Sequence, residues 1–225
     1  MMTEIKICGI TDPDDALAAA GAGADALGFI FYPKSPRCVS PGRAREIIAA
    51  LPRTVSKVGV FVNDDPDRIE EIAGICGLDL IQLHGDETPE YCRRFPASMV
   101  IKALSPRTAA DLEGVADYPV RAILVDASAP GRYGGTGKTS NWHLAKSLAH
   151  SCTLILSGGL NSGNIQDAIA SVSPDAVDIN SGVESAPGRK DHDKIRDIIE
   201  MIRRYGWDSG GEGTTIFRNE DKTIR

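Results

Sequence analysis

Short apolar runs alternate with amphipathic stretches from one end of this chain to the other. Apolar or β-branched runs over 5–8, 26–31, 57–62, 80–83, 99–103, 122–126, 153–156 and 176–179 predict strands buried on both faces. Polar caps and prolines open helically spaced segments between them. Asp12-Pro13 starts a helix to about residue 20, Ser40-Pro41 one to about 51, and Asp65-Pro66 one to about 76. Further helices start near Thr88-Pro89 and Trp142, run from 162 or 163 to 170, and span 194–204, with a poorly defined one near 108–113. Proline suits the first helical turn, where its missing N–H costs nothing.

Eight strand–helix units is the count of a (β/α)8 barrel, a single-domain α/β TIM barrel. A doubly wound open sheet has the same local pattern, but more often carries G-x-G-x-x-G after its first strand. Here that turn reads Cys8-Gly9-Ile10-Thr11. The barrel is expected over residues 1–206. Residues 207–225, glycine-rich and then mixed in charge, read as a mobile tail.

Composition limits the partners. Of 225 residues, 42% are hydrophobic, enough for one sizeable core. The net charge of −6 argues against broad binding to nucleic acid or an anionic membrane, though local positive charge for an anionic ligand is compatible with it. No apolar run reaches membrane-spanning length, and no basic-then-apolar leader opens the chain. Five scattered cysteines form no C-x-x-C pair and no close Cys/His cluster, so reduced thiols in a cytoplasmic protein without a metal are expected.

In a barrel, residues at the carboxyl ends of the strands converge on one mouth. Cys8 stands there on the first strand, Arg37 in the loop after the second, His84 after the fourth, Asp126 after the sixth and Asp178 on the eighth. A thiol, a guanidinium, an imidazole and carboxyls would thus surround one cavity. Position alone does not make Cys8 functional, since free cysteine is among the most buried residue types. Arg37 by itself is a weak signal, since a surface arginine in a loop is usually just solvated, and His84 reads equally well as lining the site or holding a loop. Gly158 and Gly159 follow the seventh strand, and Ser181 and Gly182 the eighth. Barrels often bind phosphate between these two loops through backbone N–H groups. Gly134-Gly135-Thr136-Gly137-Lys138-Thr139 is not a nucleotide P-loop, because Arg132 stands where the first glycine is needed. Its glycines suit a lid over the mouth.

These motifs resemble the phosphoribosylanthranilate isomerase family. The resemblance rests on Lys6-Ile7-Cys8-Gly9-Ile10-Thr11, Gly28-Phe29-Ile30-Phe31 with Ser35-Pro36-Arg37, Gly59-Val60-Phe61-Val62-Asn63, Gln82-Leu83-His84-Gly85, Gly134-Gly135-Thr136-Gly137, Ser157-Gly158-Gly159-Leu160 and residues 178–184. It runs in order from about residue 3 to 206, with Cys38 and Asn180 as small departures. It implies a barrel without cofactor or metal, acting in tryptophan biosynthesis as a monomer or homodimer. The substrate would be a small phosphosugar-anthranilate, N-(5-phosphoribosyl)anthranilate, rearranged to the carboxyphenylamino-deoxyribulose phosphate. Carried over by motif, Cys8 is the general base and Asp126 the general acid. Arg37 contacts the anthranilate carboxylate, His84 and Asp178 line the substrate site, and Gly158, Gly159, Ser181 and Gly182 hold phosphate. The histidine-pathway isomerase runs the same rearrangement but is expected to carry Asp at position 8. A non-catalytic sugar-phosphate barrel and a thiol redox protein are the readings from other classes.

For that chemistry, ordinary pKa values of about 8.5 for Cys and 3.9 for Asp leave both productive forms scarce near neutrality. Opposite environments are therefore expected: a depressed pKa at Cys8 and a raised one at Asp126.

Overall fold

A computed structural model describes residues 3–126, 142–149, 151–208 and 215–217. The chain runs β1 (Glu4–Ile7), α1 (Pro13–Ala22), β2 (Ala26–Ile30), α2 (Pro41–Ala49), β3 (Ser56–Phe61), α3 (Pro66–Cys76), β4 (Leu80–Leu83), α4 (Pro89–Cys92) and β5 (Val100–Leu104). It continues with β6 (Ala122–Val125), α5 (Trp142–Leu148), β7 (Leu154–Leu156), α6 (Ile165–Val172) and β8 (Ala176–Ile179). A small hairpin, β9 (Glu184–Ala186) and β10 (Arg189–Lys190), precedes α7 (His192–Asp208).

Strands β1 to β8 pair in sequence order, all parallel, and β8 pairs back onto β1 with Lys6 opposite Asp178. The barrel is closed. The expected caps form as read: Asp12, Ser40, Asp65 and Thr88 each accept a backbone N–H of the first helical turn. The fifth unit differs from the others. Short 3₁₀ turns at Ala109–Leu112 and Val115–Asp117 replace its helix, and neither has the length to form an apolar stripe.

Strand alternation sorts most of the core into two clusters, and Cys8, Ile30 and Val60 form a small third one. Ile5, Ile7, Leu27, Phe29, Leu83, Val125 and Leu156 belong to the cluster that also holds helix residues such as Ile69, Ile165 and Ile198. Ala26, Val58, Leu80, Ile101, Leu124, Ile155 and Ala176 form a second cluster inside the barrel. Period-two alternation therefore carries Lys6 and Cys8 to the same interior face.

The expected tail needs correction. Helix α7 runs to Asp208, and Ile216 and Phe217, 1% and 2% exposed, join the interior cluster. Their backbone N–H groups donate to Glu4 Oε2 at 2.6 and 2.9 Å, and Arg121 Nε donates to Ile216 O at 2.7 Å. Ser56 Oγ donates to Phe217 O. Glu4 and Ser56 begin β1 and β3, so this dipeptide fills the end of the barrel opposite the mouth. Two apolar residues in a polar stretch gain about 1.5–3 kcal/mol each from burial, which average composition hides.

Candidate active site

The mouth encloses a cavity of about 450 Å³, within the range of small-molecule sites. Its lining includes Cys8, Arg37, His84, Asp126, Gly158, Gly159, Asp178 and Ser181. Cys8 and Asp126 each follow the last residue of a strand and are 4% and 5% exposed. The barrel brings every one of these sequence candidates to one wall or another of a single cleft. Gly28, beside Cys8, has no Cβ, and a Cβ there would stand 2.6 Å from the thiol sulfur. The run expected to form a lid, Gly134-Gly135-Thr136-Gly137, lies outside the described residues.

Around the thiol, two ammonium groups were not anticipated. Lys6 is fully buried and meets Asp178 Oδ1 at 2.9 Å. Burial works against its charge, but Asp178 and then Cys8 outweigh this and push its pKa up. Lys190, on β10, donates to Asn180 O, Asn180 Oδ1 and Glu184 Oε1 at 3.0–3.1 Å, and burial lowers its pKa. The thiol itself departs from expectation. Burial raises Cys8 above the ordinary thiol value, and the Lys6 charge opposes that rise without cancelling it. The depressed value foreseen from sequence overlooked the desolvation that comes with a 4% exposed position. Lys6 could have been found from its i−2 spacing to Cys8 on a strand. Lys190, far along the chain, has no such signal.

Arg37 is also more constrained than a solvated loop residue. Its Nε and Nη2 fork onto Glu184 at 2.8 and 2.6 Å, which holds the guanidinium charged and, despite burial, the carboxyl below its usual range. Nη1 has no partner among the described residues and remains for an anion. His84 bridges two neighbours: its Nε2 lies 3.2 Å from Asp126 Oδ2, and its Nδ1 2.8 Å from Gln82 Nε2. Asp178 is spoken for on one oxygen by Lys6.

The glycine loops have the form an anion needs. Gly158 and Gly159 adopt φ of 93° and 69°, accessible to glycine without strain. The Nδ2 groups of Asn161 and Asn164 both donate to Gly159 O at 3.0 Å and hold the turn. A Cβ on Gly182 would lie 1.9 Å from Leu160 O, so only glycine lets the two loops approach. Among the described residues, the N–H groups of Gly158, Gly159, Ser181 and Gly182 donate to no protein acceptor. Gly158, Gly159 and Ser181 line the cavity and can offer backbone donors to an anion; Gly182, expected with them, is not part of that lining. No group of three His, Cys, Asp or Glu among the described residues could hold a metal ion.

A family model described as N-(5'-phosphoribosyl)anthranilate isomerase matches residues 5–201. This chain belongs to the phosphoribosylanthranilate isomerase family. The phosphoribosylanthranilate isomerase of Syntrophus aciditrophicus is 58% identical over 91% of this chain and 89% of its own length. The crystal structure of the Thermotoga maritima phosphoribosylanthranilate isomerase matches with a TM-score of 0.83 at 46% identity, covering 90% of this chain and 100% of that one. Another crystal structure of a phosphoribosylanthranilate isomerase, 43% identical with a TM-score of 0.78 over 88% of this chain and 97% of its own, is a complex with reduced 1-(o-carboxyphenylamino)-1-deoxyribulose 5-phosphate. Like the members of that family, this chain is an aldose–ketose isomerase of tryptophan biosynthesis. Among the described residues, no helix is long and apolar enough to cross a membrane.

Proposed function

We propose that this chain converts N-(5-phosphoribosyl)anthranilate to the carboxyphenylamino-deoxyribulose phosphate with Cys8 as general base and Asp126 as general acid. The observation that carries the reading is the convergence of a thiol, a carboxyl and the unpaired backbone donors of Gly158, Gly159 and Ser181 on one cavity. Asp126 donates a proton to the furanose ring oxygen as the C1–O bond breaks, and the nitrogen lone pair forms the Schiff base. The Cys8 thiolate then removes the proton from C2, and the resulting electron pair neutralises the iminium nitrogen to give an enolamine. Tautomerisation moves a proton to C1 and leaves the ketone at C2. Each transfer is general acid or base catalysis, worth about 10²–10⁴-fold.

The loops at Gly158, Gly159, Ser181 and Gly182 hold the phosphate, the end of the substrate that does not react. Their binding energy orients C1 and C2. Arg37 offers Nη1 to the anthranilate carboxylate, its other edge being fixed on Glu184. Asp178 stands beside Lys6 at the ribose. Loss of substrate fluorescence measures the reaction directly. Cys8→Ala and Asp126→Asn are each expected to lower kcat by at least about 10²-fold. A near-normal kcat in either variant overturns the role given to that residue.

A further inference from the structure

Gln82 is fully buried on β4, two residues before His84, and its Oε1 is a buried acceptor with no partner among the described residues. Its Nε2 lies 2.8 Å from His84 Nδ1, and His84 Nε2 lies 3.2 Å from Asp126 Oδ2. Three polar side chains thus form a line that ends on the acid. Rotating the amide by half a turn would bring Oε1 to the ring and leave both N–H donors unpaired, where now the carbonyl and one N–H have no partner among the described residues. Which end of the amide faces the ring therefore decides the tautomer, and in the structure that end is Nε2.

We infer that Gln82 is a positioning residue for Asp126: by donating to Nδ1 it fixes the His84 tautomer, so that Nε2–H points at Oδ2. An amide N–H needs an acceptor, so Nδ1 must be unprotonated, and the ring proton of neutral imidazole then sits on Nε2. Oδ2 receives that hydrogen bond, and Oδ1 is left to carry the proton delivered to substrate. When that proton leaves for the ring oxygen, the new carboxylate already holds a donor in place. Without the amide, the ring can carry its proton on Nδ1 and turn a lone pair toward Asp126. That arrangement favours the protonated acid and binds its proton on the wrong side.

The inference rests on Asp126 as general acid, and the test separates the two. Gln82→Met keeps the length of the side chain and removes the donor. In wild-type enzyme labelled with ¹⁵N-histidine, His84 is expected as the Nε2–H tautomer, assigned with His84→Asn as the blank; in Gln82→Met, a substantial Nδ1–H population is expected. The variant is expected to lose about tenfold in kcat with KM changed less than about twofold, and the acid limb of its kcat/KM profile moves upward. An Nδ1–H tautomer in the wild type, or unchanged tautomer and kcat in Gln82→Met, overturns the inference and leaves Asp126 untouched. Near-normal kcat in Asp126→Asn instead removes the acid role itself. The wild-type spectrum decides the tautomer even if the variant folds poorly.

Discussion

At the residue scale, the raised pKa of Cys8 changes what the pH profile should look like. The productive form, thiolate with carboxylic acid, and the ordinary form, thiol with carboxylate, hold the same number of protons. Their ratio therefore does not change with pH, and both rise and fall together. The rate profile stays bell-shaped, and the environment sets its height. The alkaline limb marks loss of the last proton from the pair and is expected above the ordinary thiol range, because burial raises the thiol. The Lys6 charge lowers that pKa and Asp178 raises it, the former more strongly. Lys6→Met alone would strand the Asp178 charge, so the comparison is made in an Asp178→Asn background. Adding Lys6→Met should move the alkaline limb upward, with about tenfold lower activity per pH unit of displacement. Thiolate absorbance in the ultraviolet, with Cys8→Ser as the blank, reads the same shift without turnover; an unmoved thiol would mean that Lys6 exerts no such field.

At the element scale, a buried lysine on the next strand helps to hold the loop after β4. Lys102, on β5, is 1% exposed and donates to Leu83 O, Gly85 O and Glu87 Oε2 at 3.2, 2.7 and 2.8 Å. Glu87 in turn accepts from Asn63 N and Gly85 N at 2.8 and 2.9 Å. This buried pair ties the ends of β3, β4 and β5 together and sets where His84 stands. Lys102→Met leaves the Glu87 carboxylate without its cation and should cost about 3–5 kcal/mol. Urea denaturation checks this, and a loss under about 1 kcal/mol would show that the backbone donors alone satisfy Glu87. The strand periods and proline-capped starts made β1 to β8 and most helices legible, because each depends on neighbours within a turn or two. The fifth unit was faint in sequence for the same reason: its 3₁₀ turns carry no repeating apolar face.

At the scale of the whole molecule, chemistry and stability lie at opposite ends of the barrel. Ile216 and Phe217 seal the end where the strands begin, and the candidate site opens where they finish. Phe217→Ala is expected to destabilise the chain by about 3–5 kcal/mol, as other large-to-small core changes do. Its kcat/KM at 25 °C should stay within about twofold of wild type, because among the described residues the plug's cluster and the cavity lining share no member. Thermal denaturation beside the fluorescence assay tests both halves of the prediction. A collapse of kcat/KM in folded protein would show that the two ends are coupled.

From the sequence by itself, the eight alternating units, their caps, and the presence of Cys8, Asp126 and two glycine turns at strand ends could all be read. Those features depend on spacing along the chain, and period two or 3.6 carries them. Closure of β8 onto β1 decided the rest: Lys6 against Asp178, Arg37 against Glu184, the Lys190 charge felt by the thiol, and a distant dipeptide under the barrel. Such pairings join residues more than a hundred positions apart. Burial, which turned the expected fall in the Cys8 pKa into a rise, is likewise a property of the assembled core and of no local stretch.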